Sequence, residues 1–425
     1  MRCIRSDGLG NSDPMEATIR PSDILKKTGF WNATAWVVWT AAVLVLTIRP
    51  LLIFQRGTSF DTYNVAGLHW IHGENVYAHT QWIGFVYSPI VAAFFAPFAC
   101  LPLPLANIFW RLLNTGALLG GLAAVLKTNL FAGIKQRNFG IAFVLLAPLA
   151  IGNIDVSQAN PLIAGLVMLA IAAVHVERWN VAALCIAIAT FFKIYPLAVG
   201  LLICVIAPRR FTWRLLVALL LLGITPFFFQ RWPYVTNQYH EWIATRASDD
   251  RRNWPIEKLP LDLWFLFRWL GQVPIPPIIY TLIQLGSALA LAIFGAIGTW
   301  KDWSTARIST GLFCLASIWM TLCGPATEAY TYLLLAPPTI LALVQSFNAR
   351  QSVWLRSWVS TVFALELLAV TRASFLPHFK PFWALSFQPL SAVLFLGYCL
   401  VWLFNDSFWR SGRALMSNIR ADATP

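Results

Sequence analysis

The sequence predicts an all-α, polytopic membrane protein. Of its 425 residues 58% are hydrophobic and only 12% are charged, far from the balance of a soluble domain. Apolar runs recur along nearly the whole chain, and a helix needs about 20 such residues to cross the hydrocarbon core. Helices are expected because a backbone in lipid must satisfy its own hydrogen bonds.

Residues 1–30 are polar, carry Arg2, Arg5, Arg20, Lys26 and Lys27, and lack a short apolar core followed by a small-residue cleavage site. They form an N-terminal tail placed in the cytoplasm by the positive-inside rule, and the apolar domain spans 31–404. The first span, 31–54, then carries the chain to the outer side. Residues 55–104 are a first outer loop with two juxtamembrane helices. The first covers Thr62–Ile71. The second lies in Gly84–Pro104, where Pro89, Pro97, Pro102 and Pro104 argue against a full span.

The run 105–126 returns to Lys127, Lys135 and Arg137. The spans 139–152, 161–176, 181–192 and 196–207 are short, as expected of helices buried among others or broken part-way. The run 215–229 leads to a long hydrophilic outer loop, 230–275. Spans 276–300, 308–323, 332–347, 353–373 and 382–404 complete twelve. A cytoplasmic tail, 405–425, carries Arg410, Arg413 and Arg420.

The net charge of +13 suits cytoplasmic loops better than nucleic acid, because no basic stripe lies on a soluble domain. Seven cysteines sit mostly in apolar runs without metal or disulfide spacing, and read as small buried hydrophobes.

With this topology the unusual polar clusters fall on the outer side. They are Asp61–Tyr77, Gly152–Asn160, Phe191–Pro196, the long loop, Gly324–Tyr332 and Arg372–Lys380. Ionisable groups at membrane depth are costly and mark function, so their convergence suggests one outer cavity. Lys193, in the sequence FFKIYP, is either a phosphate-binding ammonium or a snorkelling lysine at a helix end. Gln158 and Asn160 flank a turn before Pro161, where capping is as natural as ligand contact. Ser59 and Asp61 fit an N-cap, the favoured role of Asp61 on local pattern. His69 and His72 lack a third metal ligand. The run Arg246, Asp249, Asp250, Arg251, Arg252 reads as a solvated loop. Glu328 and Tyr332 share a helical face.

At these residues the chain resembles glycosyltransferase family 87, over roughly Asp61–Pro338. The family opens its first outer loop with Asp, Tyr, small residues, Gly, Tyr and an aromatic-Tyr-Pro-Pro run. Here these are Asp61, Tyr63, Ala66, Gly73, Tyr77 and FVYSP, with Ser88 in place of the first proline. The family's Gly-Gln-x-Asn element appears as Ser157-Gln158-Ala159-Asn160, and its Lys-x-Tyr-Pro element as Lys193-Ile194-Tyr195-Pro196. The late Ser-Pro and Trp-Asp-His-Tyr element departs: the chain has GPATEAYTYLLLAP, with Tyr330 at the histidine position and Glu328 at the tryptophan position.

The resemblance implies a GT-C fold and inverting transfer of a mannose- or arabinose-like sugar from a polyprenyl-phosphate donor to a lipid or glycan acceptor. The site would face outward from a plasma or inner membrane. Asp61 would be the general base. Lys193, Tyr195, Gln158 and Asn160 would bind the donor phosphate, and Tyr63, His69, Tyr77, Glu328, Tyr330 and Tyr332 the substrates. No metal or other cofactor is expected, since protein cations meet a single phosphate. Partners are the donor, the acceptor and membrane lipids, with no nucleic acid. A transporter or lipid flippase is the rival reading, because broken helices with polar groups also mark transporters. A non-catalytic scaffold in envelope assembly is a third.

Overall fold

The computed structural model describes residues 29–409 apart from 53–57, 79–83, 132, 253, 256–258, 326, 350, 376–385 and 407. The N-terminal tail, most of the C-terminal tail and the end of the Arg372–Lys380 cluster lie outside the described residues. The described chain is helical throughout, in the order α1 (Phe30–Leu52), α2 (Ser59–His72), α3 (Pro89–Ala99), α4 (Leu103–Lys127), α5 (Phe139–Asp155), α6 (Asn160–His175), α7 (Trp179–Phe192), α8 (Pro196–Ile206), α9 (Pro208–Ile224), α10 (Trp232–Ser248), α11 (Pro277–Trp300), α12 (Thr305–Leu322), α13 (Ala336–Asn348), α14 (Val353–Phe375) and α15 (Phe387–Leu403). Short 3₁₀ turns precede α5 and α13 and follow α9.

Every predicted span is present as a helix. Eight helical segments are long and apolar enough to cross a membrane. The other four, α6, α7, α8 and α15, have 11–17 residues. The chain is a multi-pass membrane protein.

Prolines set several boundaries. Pro161, Pro196, Pro208 and Pro277 sit in the first turns of α6, α8, α9 and α11, where a missing N–H costs nothing. α3 begins at Pro89 and ends at Ala99, so the proline-broken stretch does form a short helix.

Small residues set the closest crossings. A Cβ on Gly165 would stand 2.2 Å from the Ala117 carbonyl oxygen, and one on Gly121 2.5 Å from that of Gly165. α4 and α6 therefore touch backbone to backbone, the usual device where apolar burial offers no drive for helices to associate. α6 is buried almost along its length, and α12 and α13 nearly so, so the core lies around these three.

The long hydrophilic stretch 230–275 is not merely a loop. α10 occupies its first part and docks on the end of α2. Gln238 accepts from the Val76 N–H at 3.0 Å, Gln230 donates to the Trp70 carbonyl at 2.7 Å and Tyr234 to the Glu74 carbonyl at 2.7 Å. The helix is hidden in the sequence because Asn237, Gln238, His240, Glu241 and Arg246 interrupt its apolar and aromatic residues.

Candidate active site

Six segments converge at one end of the bundle: the start of α2, the strip before α3, the turn between α5 and α6, the turn between α7 and α8, α10 with the chain after it, and the chain before α13. They enclose a cavity of about 480 Å³. Its lining includes Thr58, Tyr63, Tyr87, Gln158, Lys193, Tyr195, Arg246, Arg251 and Glu328.

The tyrosines come first. Tyr63 is fully buried on α2, and its hydroxyl lies 2.9 Å from that of Tyr87. Tyr77 donates to the Tyr87 carbonyl at 2.7 Å. The three tyrosines thus form one chain, with Tyr63 and Tyr87 on the cavity wall and Tyr77 behind them. Burial pushes the Tyr87 hydroxyl up to about 12, so it stays a neutral donor. Ser88, the departure from the family's proline, donates through Oγ to the Phe191 carbonyl at 2.7 Å. That bond ties the strip before α3 to the turn carrying Lys193.

The turn between α5 and α6 is held in an unusual shape. Ser157 has φ +58°, a conformation that favours glycine, the residue the family has there. Its neighbours offset the strain. Ser157 Oγ lies 2.7 Å from Asn107 Oδ1 and accepts from Arg111 Nε at 3.1 Å, and its carbonyl accepts from Trp110 Nε1 at 2.9 Å. Arg111, fully buried on α4, also donates to the Leu46 carbonyl at 2.8 Å and lies 3.7 Å from the Asp155 carboxylate. A charge at this depth survives only with several partners, and Arg111 has them. Its place inside the apolar run 105–126 gives no sign of these partners, which come from three other segments.

Asn160 joins the two motifs. Its Oδ1 accepts from Lys193 Nζ at 2.9 Å and from the Tyr195 hydroxyl at 3.3 Å. Its Nδ2 donates to Asn153 at 3.3 Å, which fixes the amide's orientation. Lys193 projects from the α7–α8 turn into the cavity. Burial lowers its pKa, partly offset by Glu328 and reinforced by Arg251 and Arg246. Gln158 and Thr58 also line the cavity, and among the described residues the buried Gln158 Oε1 has no hydrogen-bond partner.

The mixed-charge run divides: Asp250 and Arg252 pair with each other at the surface, as a solvated loop would, whereas Arg246, Asp249 and Arg251 do not lie in solvent. Arg251 is only 7% exposed, stands over Trp254 at 5.2 Å, and donates to Asp249 at 2.7 Å and to Glu328 at 2.8 Å. Arg246 donates to Asp249 at 2.8 Å. Both arginines line the cavity, so with Lys193 it holds three cations. No periodicity in the sequence signalled this, because the placement depends on α10 docking against α2.

Asp61 sits in the first turn of α2 beside the lining residues Ser59 and Thr62. Its Oδ2 accepts from the Thr58 N–H at 3.0 Å, so Asp61 supports the helix start from the third helical position, while Thr58, not Ser59 or Asp61, is the N-cap and the helix begins at Ser59 rather than Thr62. Four other candidates lie off the wall. His69 Nε2 faces Glu74 at 3.6 Å. Tyr77 is engaged as described, and Tyr332 donates to the Leu261 carbonyl at 2.7 Å, bracing the chain before α11. Tyr330 is 38% exposed beside Glu328. Among the described residues no group of three His, Cys, Asp or Glu side chains could hold a metal ion.

A second cavity of about 370 Å³ lies at the opposite ends of α6, α7 and α8, against Glu177, Trp179, Arg209 and Arg210. It shares no lining residue with the first. The intervening α7, 14 residues long, spans about 21 Å at 1.5 Å per residue.

Fold and site define a many-helix membrane protein with a cationic, tyrosine-walled cavity at one end of the bundle. The model of glycosyltransferase family 87 matches residues 85–325, more than half of the chain. The chain belongs to glycosyltransferase family 87. No curated protein matches it. Among solved structures, the crystal structure of ArnT from Cupriavidus metallidurans bound to undecaprenyl phosphate aligns with TM-score 0.36 and 15% identity, over 94% of this chain and 81% of that one.

Proposed function

We propose that this glycosyltransferase moves a sugar from a polyprenyl-phosphate donor to a hydroxyl of a lipid or glycan acceptor, with inversion, at the outward face of a plasma or inner membrane. The observation that carries this reading is the pairing of Lys193 with Arg246 and Arg251 around one cavity of a membrane helix bundle. Three cations suit an anionic phosphate, and the apolar helices beside them suit its polyprenyl tail.

In the transfer, the acceptor oxygen attacks the anomeric carbon as the bond to the phosphate oxygen breaks. The phosphate leaves with that electron pair, stabilised by Lys193 and the arginines. Asp61, at the cavity rim, takes the acceptor proton; Glu328, in the lining, is the second candidate for that role. Gln158, Tyr63 and Tyr87 contact the sugar or phosphate as neutral hydrogen-bonding groups. Asn160 and Tyr195 hold Lys193 in place, while His69, Tyr77, Tyr330 and Tyr332 frame the site.

The test is transfer of radiolabelled mannose from polyprenyl-phosphate-mannose in membranes bearing the wild type or Lys193→Met. Label reaching lipid or glycan with the wild type alone supports the reading. If neither a hexose nor a pentose donor yields product, transfer is ruled out and transport becomes the reading to test.

A further inference from the structure

Arg251 is the most heavily engaged cation in the cavity. It grips Asp249 with two nitrogens, at 2.7 and 3.2 Å, and touches Glu328 with one, at 2.8 Å. The two carboxylates differ in kind. Asp249 is 10% exposed and also takes Arg246, whereas Glu328 is 37% exposed and reaches Arg251 from across the cavity. Lys193, Arg246 and Arg251 against Asp249 and Glu328 give 3 − 2 = +1. One singly charged phosphodiester neutralises that, but it meets Glu328 already on the guanidinium.

We propose that the Arg251–Glu328 pair is a donor-operated latch: the lipid phosphate takes Glu328's place on Arg251, and Glu328 is released into the cavity. The inference rests on the reading of this cavity as a lipid-phosphate site. It also accounts for the missing histidine of the late family element. Its position holds Tyr330, outside the lining, while an arginine from the segment between α10 and α11 reaches the cavity at the neighbouring Glu328. Asp249 keeps the guanidinium in place through the exchange, so only Glu328 has to move.

The exchange makes Glu328 a competitor of the phosphate for one fork of donors. Removing its charge then favours the ligand, and does so only while Arg251 is present. A carboxylate that merely lowers the local potential repels the ligand whether or not Arg251 is there.

The experiment measures binding of undecaprenyl phosphate, without sugar, to the full chain in detergent by intrinsic tryptophan fluorescence. Wild type, Glu328→Gln, Arg251→Met and the double variant form a cycle. Glu328→Gln is expected to bind at least fivefold tighter, Arg251→Met at least tenfold weaker, and the double variant like Arg251→Met alone. Arg251→Lys, which keeps the charge and loses the fork, replaces Arg251→Met if the latter lowers the thermal midpoint.

Equal or weaker binding by Glu328→Gln overturns the latch. So does a Glu328→Gln gain that persists without Arg251, which marks a general field effect. If the wild type itself does not bind undecaprenyl phosphate, the latch and the donor reading fall together. Wild-type binding with no effect of Glu328→Gln removes the latch alone.

Discussion

Lys193 donates to Asn160 Oδ1 at 2.9 Å, so two motifs 33 residues apart in sequence meet in one hydrogen bond. The bond aims the ammonium and leaves it two further donors. Lys193→Met is expected to lower transfer by about 10²–10³-fold, the range for loss of one preorganised charge stabiliser. The pH profile follows from burial, which lowers this lysine's pKa. The ammonium is the working form, so donor affinity is full below that lowered pKa and falls as pH rises through it. Initial rates at several pH values, in wild type and Lys193→Arg, check this. The arginine variant should lose the alkaline fall, because its guanidinium stays charged.

Asp61 holds the start of α2 and is the proposed base, and one substitution separates the two. Asn still accepts from the Thr58 N–H, so Asp61→Asn keeps the contact that begins α2. It is expected to fold, to hold its thermal midpoint, and to transfer no sugar. Asp61→Ala removes both functions and should also lose about 1 kcal/mol of local stability. An active Asp61→Asn would make the residue a cap only and move the base to Glu328, which the same assay on Glu328→Gln then tests.

Ser157 stands in left-handed backbone where a glycine is at ease. Ser157→Gly relieves that strain but deprives Asn107 and Arg111 of a partner. The two effects oppose each other at about 1 kcal/mol each. Expression and thermal midpoint should therefore stay near wild type. Ser157→Val keeps the strain, adds β-branching and buries a methyl against Arg111. It should cost several kcal/mol and abolish both folding yield and transfer. Thermal unfolding monitored by tryptophan fluorescence distinguishes the two.

The legibility of this site divides along physical lines. Periodic apolar length revealed every helix that crosses or half-crosses the bundle, because burial in lipid demands it of the sequence. Lys193, Gln158 and Asn160 were visible as polar interruptions of apolar runs. Arg246 and Arg251 were not, since a mixed-charge stretch looks the same in water as on a cavity wall; only Gln230, Tyr234 and Gln238 docking on α2 decides between them. The positive φ of Ser157 was hinted at by the glycine it replaces, but its support from Arg111 depends on long-range contact between α4 and the α5–α6 turn.

Ser88 has φ −68°, within the range a proline ring imposes. Restoring the family residue with Ser88→Pro suits that φ, but it removes the hydroxyl bond to Phe191 and turns the ring Cδ toward the same carbonyl, which lies 3.5 Å from the Ser88 nitrogen, so the strip must shift to make room. A loss of more than about 1 kcal/mol is expected, with a several-fold fall in transfer as the Lys193 turn loosens. A variant as stable and as active as the wild type would show that the contacts of Ser88 with Phe191 do not hold the Lys193 turn.

Asp262 gives a pH test of the segment between α10 and α11. It caps the turn Leu263–Phe265, accepting from the Phe265 N–H at 3.2 Å, and burial pushes its carboxyl up to about 7. A folded pKa above the ordinary carboxylate value means that the folded state holds the proton more tightly. Its contribution is therefore fully present below about pH 4, is lost progressively as pH rises to about 7, and is constant beyond. Asp262→Asn keeps an acceptor for Phe265 and cannot ionise. Its thermal midpoint should exceed that of the wild type at pH 8 and match it near pH 4, narrowing the gap steadily between. Equal midpoints at both pH values would mean that Asp262 reaches water and ionises at no cost.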